Sequence, residues 1–203
     1  MHIALIGKKY SGKDTVAKYL IENYGYTRLA FADPIKDICK NVFNMNEEQL
    51  NGSLKEEIDK FWNISPRQLM QFIGTEMFRD QLNKNIWIKI LERKMNIILK
   101  NNPNAKIVIT DLRFINEEEF VDKFNFLKIK ILRDSSYNDN HESENNNLKY
   151  HCIIDNRKSI KNLYSNIEEI MIHQKKSYLS IYKKYFYILL LKIIKFIFNI
   201  ISK

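Results

Sequence analysis

Cysteine is scarce: only Cys39 and Cys152 occur among 203 residues. They lie far apart, without the spacing of a zinc site or the density of a disulfide framework, so a reducing compartment is expected, the cytoplasm of a cell or of a host. The first residues lack a basic segment followed by an apolar core, which argues against a secretory signal. Arginine is also sparse, at seven of 33 basic residues. The net charge of +9 suits nucleotides, nucleic acid or a membrane surface. Yet the chain is heavy in Lys, Asn and Ile, as an AT-rich coding sequence becomes without selection for binding, so total charge selects no partner and no nucleic acid is expected. The scarcer arginines carry more information, and Arg67, Arg79, Arg113 and Arg133 all fall in the segments singled out below. No general-base motif is evident.

What is present is organised around Gly7-Lys8-Lys9-Tyr10-Ser11-Gly12-Lys13-Asp14-Thr15. An apolar run, Ile3 to Ile6, precedes it, and Val16 to Ile21 follow with helical spacing, so the local plan is strand, glycine loop, helix. That is the context of a phosphate-binding P-loop. Gly7 and Gly12 let the backbone turn its N–H groups inward, the helix adds its positive end, and the Lys13 ammonium reaches outer phosphates. Asp14 stands where the usual motif has a magnesium-holding hydroxyl, and the hydroxyl is delayed to Thr15.

Downstream, Tyr26 to Phe31 reads as a second strand, and Pro34 opens a helix with Asp33 as its expected N-cap. Asp33 and Lys36 would sit at a strand's carboxyl end, where open α/β sheets bind ligands; Asp33 could equally be a cap and nothing more. Residues 45–62 are polar and broken, with a turn at Asn51-Gly52. Ser65-Pro66 starts a helix expected to bury Leu69, Met70, Phe72, Ile73, Met77 and Phe78, while Arg67, Gln71, Thr75 and Arg79 line one face. Such a stripe is usually solvated, but two Arg with Gln and Thr resemble a pocket wall more than a Lys/Glu surface. A further helix covers Ile86 to Leu99, with Trp87 packing inward.

Lys106-Ile107-Val108-Ile109-Thr110-Asp111 is a strand ending in an acid, which in P-loop enzymes comes close to magnesium. Asn116 is expected to cap a short acidic helix, and Phe126 to Leu132 alternates apolar with basic as a half-exposed strand does. Residues 133–148 carry almost no apolar side chain and form a candidate lid. A last strand at Tyr150 to Ile154 and a helix from Ser159 to His173 complete an α/β fold, a mainly parallel sheet with helices on both faces. Residues 1–174 would form this domain and 175–203 a tail. From Tyr185 to Ile201 the tail is nearly all apolar, yet its apolar gain is almost offset by two lysines at about +3 kcal/mol each for a membrane-spanning helix. Lys184, Lys192, Lys195, Asn199 and Lys203 form a single helical stripe, which fits an interfacial membrane anchor, a self-association surface or a terminal helix folded on its own domain.

Phosphoryl transfer needs charge neutralisation and alignment more than covalent help. Lys13 and the loop amides would hold ATP; Asp111, Asp14 and Thr15 would hold Mg2+, directly or through water; the arginines would grip a second anionic substrate. A phosphate acceptor, with a second pKa near 6, is already largely ionised at neutral pH and needs no base. The missing base motif therefore favours phosphate over alcohol as the acceptor.

The Gly-Lys-Asp-Thr ending at 12–15, Phe31-Ala32-Asp33-Pro34-Ile35-Lys36, Ser65-Pro66-Arg67 through Gln71, Gly74-Thr75-Glu76 with Arg79, Trp87, Thr110-Asp111-Leu112-Arg113-Phe114 with Asn116-Glu117, His141-Glu142-Ser143-Glu144 and Asp155-Asn156 together resemble the deoxynucleoside monophosphate kinases of phages and large DNA viruses. The resemblance spans about residues 1–172. It implies a P-loop nucleoside-monophosphate-kinase fold, ATP and Mg2+ as cosubstrates, and a deoxynucleoside 5′-monophosphate as acceptor. Arg67, Gln71, Arg79 and Trp87 would then belong to the acceptor region, with Arg113 beside them, Asp33 and Lys36 bordering it, and Arg133 with 141–144 in the lid. Lys13, Arg79, Arg133 and Asp111 would serve transfer itself. Alternatives are a related small-molecule phosphate kinase of the phosphomevalonate type and a membrane-associated nucleotide-binding protein without turnover. Expected partners are a small nucleotide, a membrane surface or second copy reached through the tail, and a homodimer.

Overall fold

Five parallel strands form one sheet in the order β2-β3-β1-β4-β5. In this computed structural model residues 1–133 and 148–176 are described, with Ser180, Phe186 and Leu190 beyond them. The chain divides into two compact units, Met1–Arg157 and Lys158–Lys203.

The first unit follows the expected alternation. It runs β1 (Ile3–Ile6), α1 (Lys13–Tyr24), β2 (Tyr26–Leu29), α2 (Asp33–Val42), α3 (Glu47–Leu50), a 3-10 turn (Ser53–Glu56), α4 (Pro66–Phe72), a π-helical stretch (Ile73–Asp80), α5 (Ile86–Asn101), β3 (Lys106–Ile109), α6 (Ile115–Lys123), β4 (Leu127–Leu132) and β5 (Cys152–Asp155). β1 is central and completely buried, as a strand covered on both faces must be. Its Ile3 stands opposite Val108 on one side and Leu127 on the other. The loops after β1 and β3 therefore leave the sheet side by side, which opens a crevice at the carboxyl ends of the strands. A core of Ile6, Phe31, Leu69, Ile73, Trp87, Leu91, Ile107, Ile109 and Phe120 ties the helices to that end.

Several local expectations need correction. Asp33 is not a cap: Ala32 holds the N-cap position without a side-chain bond, and both Asp33 oxygens accept from the Arg28 guanidinium at 3.1 Å. Asn116 lies inside α6 and donates instead to Lys84 O (2.9 Å) and Asn85 Oδ1 (2.8 Å). Strand β4 is not half-exposed: most of its residues are buried, and α6 lies over the face that carries Lys128. Its Lys128 is 3% exposed and donates to Glu118 at 2.7 Å and to Asp122 at 2.9 Å. A buried ammonium is tolerated only with such partners. Residues 45–62 contain ordered turns after all. Asn46 and Gln49 cap α3 reciprocally, and Asp59 accepts from the Phe61 and Trp62 amides.

The second unit is helical from residue 160 to 176, with Ser159 Oγ accepting from the Asn162 amide at 3.3 Å. Leu163 and Ile167 are buried, whereas Ile160 is exposed. Among the described residues no helix is long and apolar enough to cross a membrane. Residues 134–147, the bulk of the expected lid, and nearly all of the tail from 177 onward lie outside the described residues.

Candidate active site

The loop after β1 takes its shape from backbone angles that side chains resist. Gly7 (φ 158°), Tyr10 (φ 61°) and Gly12 (φ 102°) all have positive φ. A side-chain carbon on Gly7 would lie 2.6 Å from Ser11 Oγ and 2.7 Å from Ile131 O, and one on Gly12 would lie 2.3 Å from Asn156 Nδ2. Both glycines are therefore required by close packing as well as by conformation. The Asn156 amide, just past β5, donates to Ser11 O at 2.8 Å and fastens the loop from the far side of the sheet. Lys13 opens α1 and donates to the carbonyls of Gly7 and Lys8, each at 2.7 Å, so its stem arches over the loop. Ser11 is buried, and its Oγ has no hydrogen-bond partner among the described residues.

A cavity of about 510 Å3 opens beside this loop. Lys13, Asp14 and Thr15 line one wall. Arg67, Gln71, Gly74, Thr75 and Arg79, from α4 and the π-helical stretch, line the other. Ser65 and Gln68 cap α4 reciprocally, with Pro66 in its first turn, as the sequence predicts. The polar stripe repeats every four residues. Four residues overrun an α-helical turn but fall short of a π-helical one, so the two drifts offset each other along the wall. The expected burial is met only in part: Leu69, Met70 and Ile73 are buried, Phe78 is half-buried, and Phe72 and Met77 are exposed, Phe72 at the margin of the buried arc of α4 and Met77 past the change of pitch.

The floor comes from the end of β3. Both Asp111 oxygens accept backbone N–H groups at 2.9 Å, one from Phe31 and one from Ala32, which fixes the carboxylate between the exits of β2 and β3. Behind it lies a buried ion pair between Arg79 and Glu117, with the Arg79 guanidinium 3.9 Å from the centre of the Phe114 ring. Glu117 also accepts from the amides of Arg113 (2.9 Å) and Phe114 (3.1 Å). Burial pushes its carboxyl up, to about 7, against the opposing pull of Arg79. One carboxylate thus fixes Arg79 and shapes the loop that carries Arg113.

Of the other expected site residues, Lys36, Arg113 and Arg133 also line the cavity. Trp87 lines it as well, but is almost wholly buried, and its indole N–H is committed to Gly74 O at 2.7 Å. Asp33 is not part of this lining and faces an adjoining cavity with Arg28, Lys36 and Asp37. Three participants escape a reading of the sequence. Glu117 and Asn156 stand in recognisable motifs but gain their roles only through distant partners. Lys55 lines the cavity from the 3-10 turn, in a stretch with no periodic signal to mark it.

Among the described residues no group of three or more His, Cys, Asp and Glu side chains could hold a metal ion by itself. Asp14, Thr15 and Asp111 nevertheless share the cavity and supply oxygen donors. That set is too small for an all-protein cage, but suits Mg2+, which takes one or two carboxylates and completes its shell with water and substrate phosphates.

A glycine loop of this form at the head of α1, on the central strand of a parallel sheet and beside a strand ending in an acid, defines a P-loop nucleotide-binding protein. Residues 2–60 and 47–167 match the deoxynucleotide monophosphate kinase family. The chain belongs to that family, and it is an ATP-using phosphotransferase acting on deoxynucleotide monophosphates. It is 35% identical over 179 residues to a candidate deoxynucleotide monophosphate kinase of Acanthamoeba polyphaga mimivirus, covering 81% of this chain and 93% of the relative. It is 27% identical over 191 residues to the deoxynucleoside-5′-monophosphate kinase of Escherichia phage T5, covering 64% and 75% respectively. A solved structure, TT1252 from Thermus thermophilus, superposes with a TM-score of 0.49 at 14% identity over 85% of this chain and 98% of that one, a likeness too loose to carry weight.

Proposed function

We propose that the two walls of the cavity divide the reaction between them. The loop from Gly7 to Thr15, with Ser11, Gly12 and Lys13, holds the ATP phosphates; Arg67, Gln71, Arg79 and Arg113, bordered by Lys36 and Trp87, hold the acceptor deoxynucleoside monophosphate. The observation that carries this reading is a single cavity with a P-loop on one side and an arginine-bearing helix on the other, joined at Asp111. Asp33, paired with Arg28, serves the edge of the site and not its centre.

In this reading Lys13 leaves its carbonyl partners for the outer phosphates and neutralises charge as the γ-phosphoryl group moves. The acceptor phosphate, already ionised, attacks without a general base. Arg79 is held by Glu117 and reaches the transferring group, and Arg133 approaches from the end of β4. Asp14, Thr15 and Asp111 would hold Mg2+, which would draw charge from the phosphate oxygens. Asp111, tied to two backbone amides, is pre-set for this and needs no rearrangement. Supplying the purified chain with ATP, Mg2+ and each dNMP in turn, with coupled detection of ADP, tests the reading. Release of ADP that depends on one dNMP, and is lost without Mg2+, is expected. ATP binding with no turnover of any dNMP would overturn it.

For the tail, we propose contact with a membrane surface or with a second copy of the chain. The basic stripe on an otherwise apolar sequence supports this. Flotation with anionic liposomes and light scattering, comparing the full chain with one ending at His173, test it; identical behaviour of the two would end the idea.

A further inference from the structure

We propose that Lys55 is an acceptor-phosphate ligand, carried into the cavity by the 3-10 turn between α3 and α4 and held at that depth by its neighbour Glu56. The inference rests on the acceptor-side reading of the cavity. The turn packs against α4 and follows α3, which packs against α2, so it is anchored to the acceptor wall. Glu56 bridges two elements: it pairs with Lys9 of the glycine loop and lies 3.8 Å from Arg67 Nε of α4. One residue of the turn thus spans donor and acceptor walls, while the one before it lines the space between them.

The surroundings of Lys55 are those of an anion site. Lys36 on α2, Arg67 on α4, Arg113 after β3 and Lys9 in the glycine loop all act on its ammonium, and each is a like charge. Among the described residues no carboxylate is paired with it, and the nearest acid in sequence, Glu56, is taken up by Lys9 and Arg67. Burial first, and then these four cations, pull Lys55 down to about 8. A partly dry ammonium among like charges opposes folding and does nothing for the scaffold. A phosphomonoester dianion among them reverses the sign of every one of these interactions. The ligand class is therefore the 5′-phosphate of the acceptor, and binding it strengthens the hold of Lys55 on its proton.

The test uses the full-length chain at saturating ATP, with the dNMP that the acceptor panel identifies. Lys55→Gln should raise the KM for dNMP about tenfold at pH 7, the cost of one charge-assisted contact, while the KM for ATP stays within about twofold. In the wild type the KM for dNMP should climb as pH rises past about 8, where free Lys55 loses its proton. Lys55→Arg, which stays charged, should flatten that climb; because it keeps the cation in place, it also serves if the Gln variant folds poorly. Arg67→Ala separates the two levels of the argument. If Arg67→Ala raises the KM for dNMP and Lys55→Gln leaves it within twofold, Lys55 is no ligand although the acceptor wall stands. If neither variant changes it, the acceptor reading fails and the Lys55 assignment fails with it. An equal rise in the KM values for both substrates also overturns the proposal, since that indicates a distorted cleft.

Discussion

The two walls of the cavity are built on different principles. The donor wall is nine consecutive residues whose shape is set by backbone angles, with Gly7 and Gly12 at positions where a side chain would collide. The acceptor wall draws its cations from α2, the 3-10 turn, α4, the π-helical stretch and the loop after β3. A phosphate chain can be cradled by amides of one local segment, because N–H groups lie at every residue. A second anion that must be placed in line with the first needs side chains converging from several directions. The donor wall is thus stiff and local, and the acceptor wall depends on the whole unit being folded.

Substitutions on each wall should separate these two kinds of dependence. The largest effect is expected from Lys13→Ala, which should lower kcat by about a thousandfold or more while leaving the thermal midpoint nearly unchanged, since the lysine's contacts are to loop carbonyls. Near-normal turnover in that variant would remove the donor wall from the chemistry. On the acceptor side, Arg79→Ala should damage stability as well as rate. Breaking a buried ion pair costs about 3 kcal/mol, measurable by urea unfolding, and Glu117, whose carboxylate holds the Arg113 loop in register, would lose its charged partner. Unchanged stability would mean that the acceptor wall is as local as the donor wall.

A smaller effect is expected for Gly12→Ala. The added carbon meets Asn156 and forces φ 102° on a residue that resists it, which costs about 1–3 kcal/mol and should weaken ATP binding by roughly ten- to a hundredfold in titration calorimetry. Glu117 should leave a mark on the pH dependence of stability. Its carboxyl is raised in the folded state, from 4.5 to about 7, so the folded state holds the extra proton between those values. The stabilisation from this group is therefore complete below about 4.5 and is lost as pH rises through 7. The stability difference between wild type and Glu117→Gln should fall across that window, and a flat difference would contradict the assignment. The smallest effect belongs to a pair on neither wall: Lys18 and Glu22, 3.8 Å apart on the exposed face of α1, should contribute at most about 0.5 kcal/mol, as Lys18→Ala would show in a denaturant midpoint.

Much of the donor wall is legible in the sequence, because a P-loop is a contiguous pattern whose glycines, lysine and flanking apolar runs are all read in one window. The same holds for the Ser65-Pro66 helix start and for β3 ending in Asp111, whose signals are local caps and β-rich composition. The acid at 33 shows the limit of such reading. Its residue type and position before Pro34 fit a cap, but Arg28 stands within reach in the folded chain and takes its charge. Lys128 shows it again: alternation predicts a wet face, and α6, packed over that face, makes the position an interior one.

The sequence by itself determined the alternation of strands and helices, the glycine loop, the acid at the end of β3 and the scarce arginines that mark an anion site, because each depends on neighbours no more than a few residues away. Only the tertiary structure decided the order β2-β3-β1-β4-β5, the pairing of Arg79 with Glu117, the fastening of Ser11 by Asn156 and the gathering of Lys9, Lys36, Lys55, Arg67 and Arg113 around one space. Those facts depend on which strands lie side by side and which loops leave the sheet together. That is set by burial and packing over the whole unit, and no local window of residues contains it.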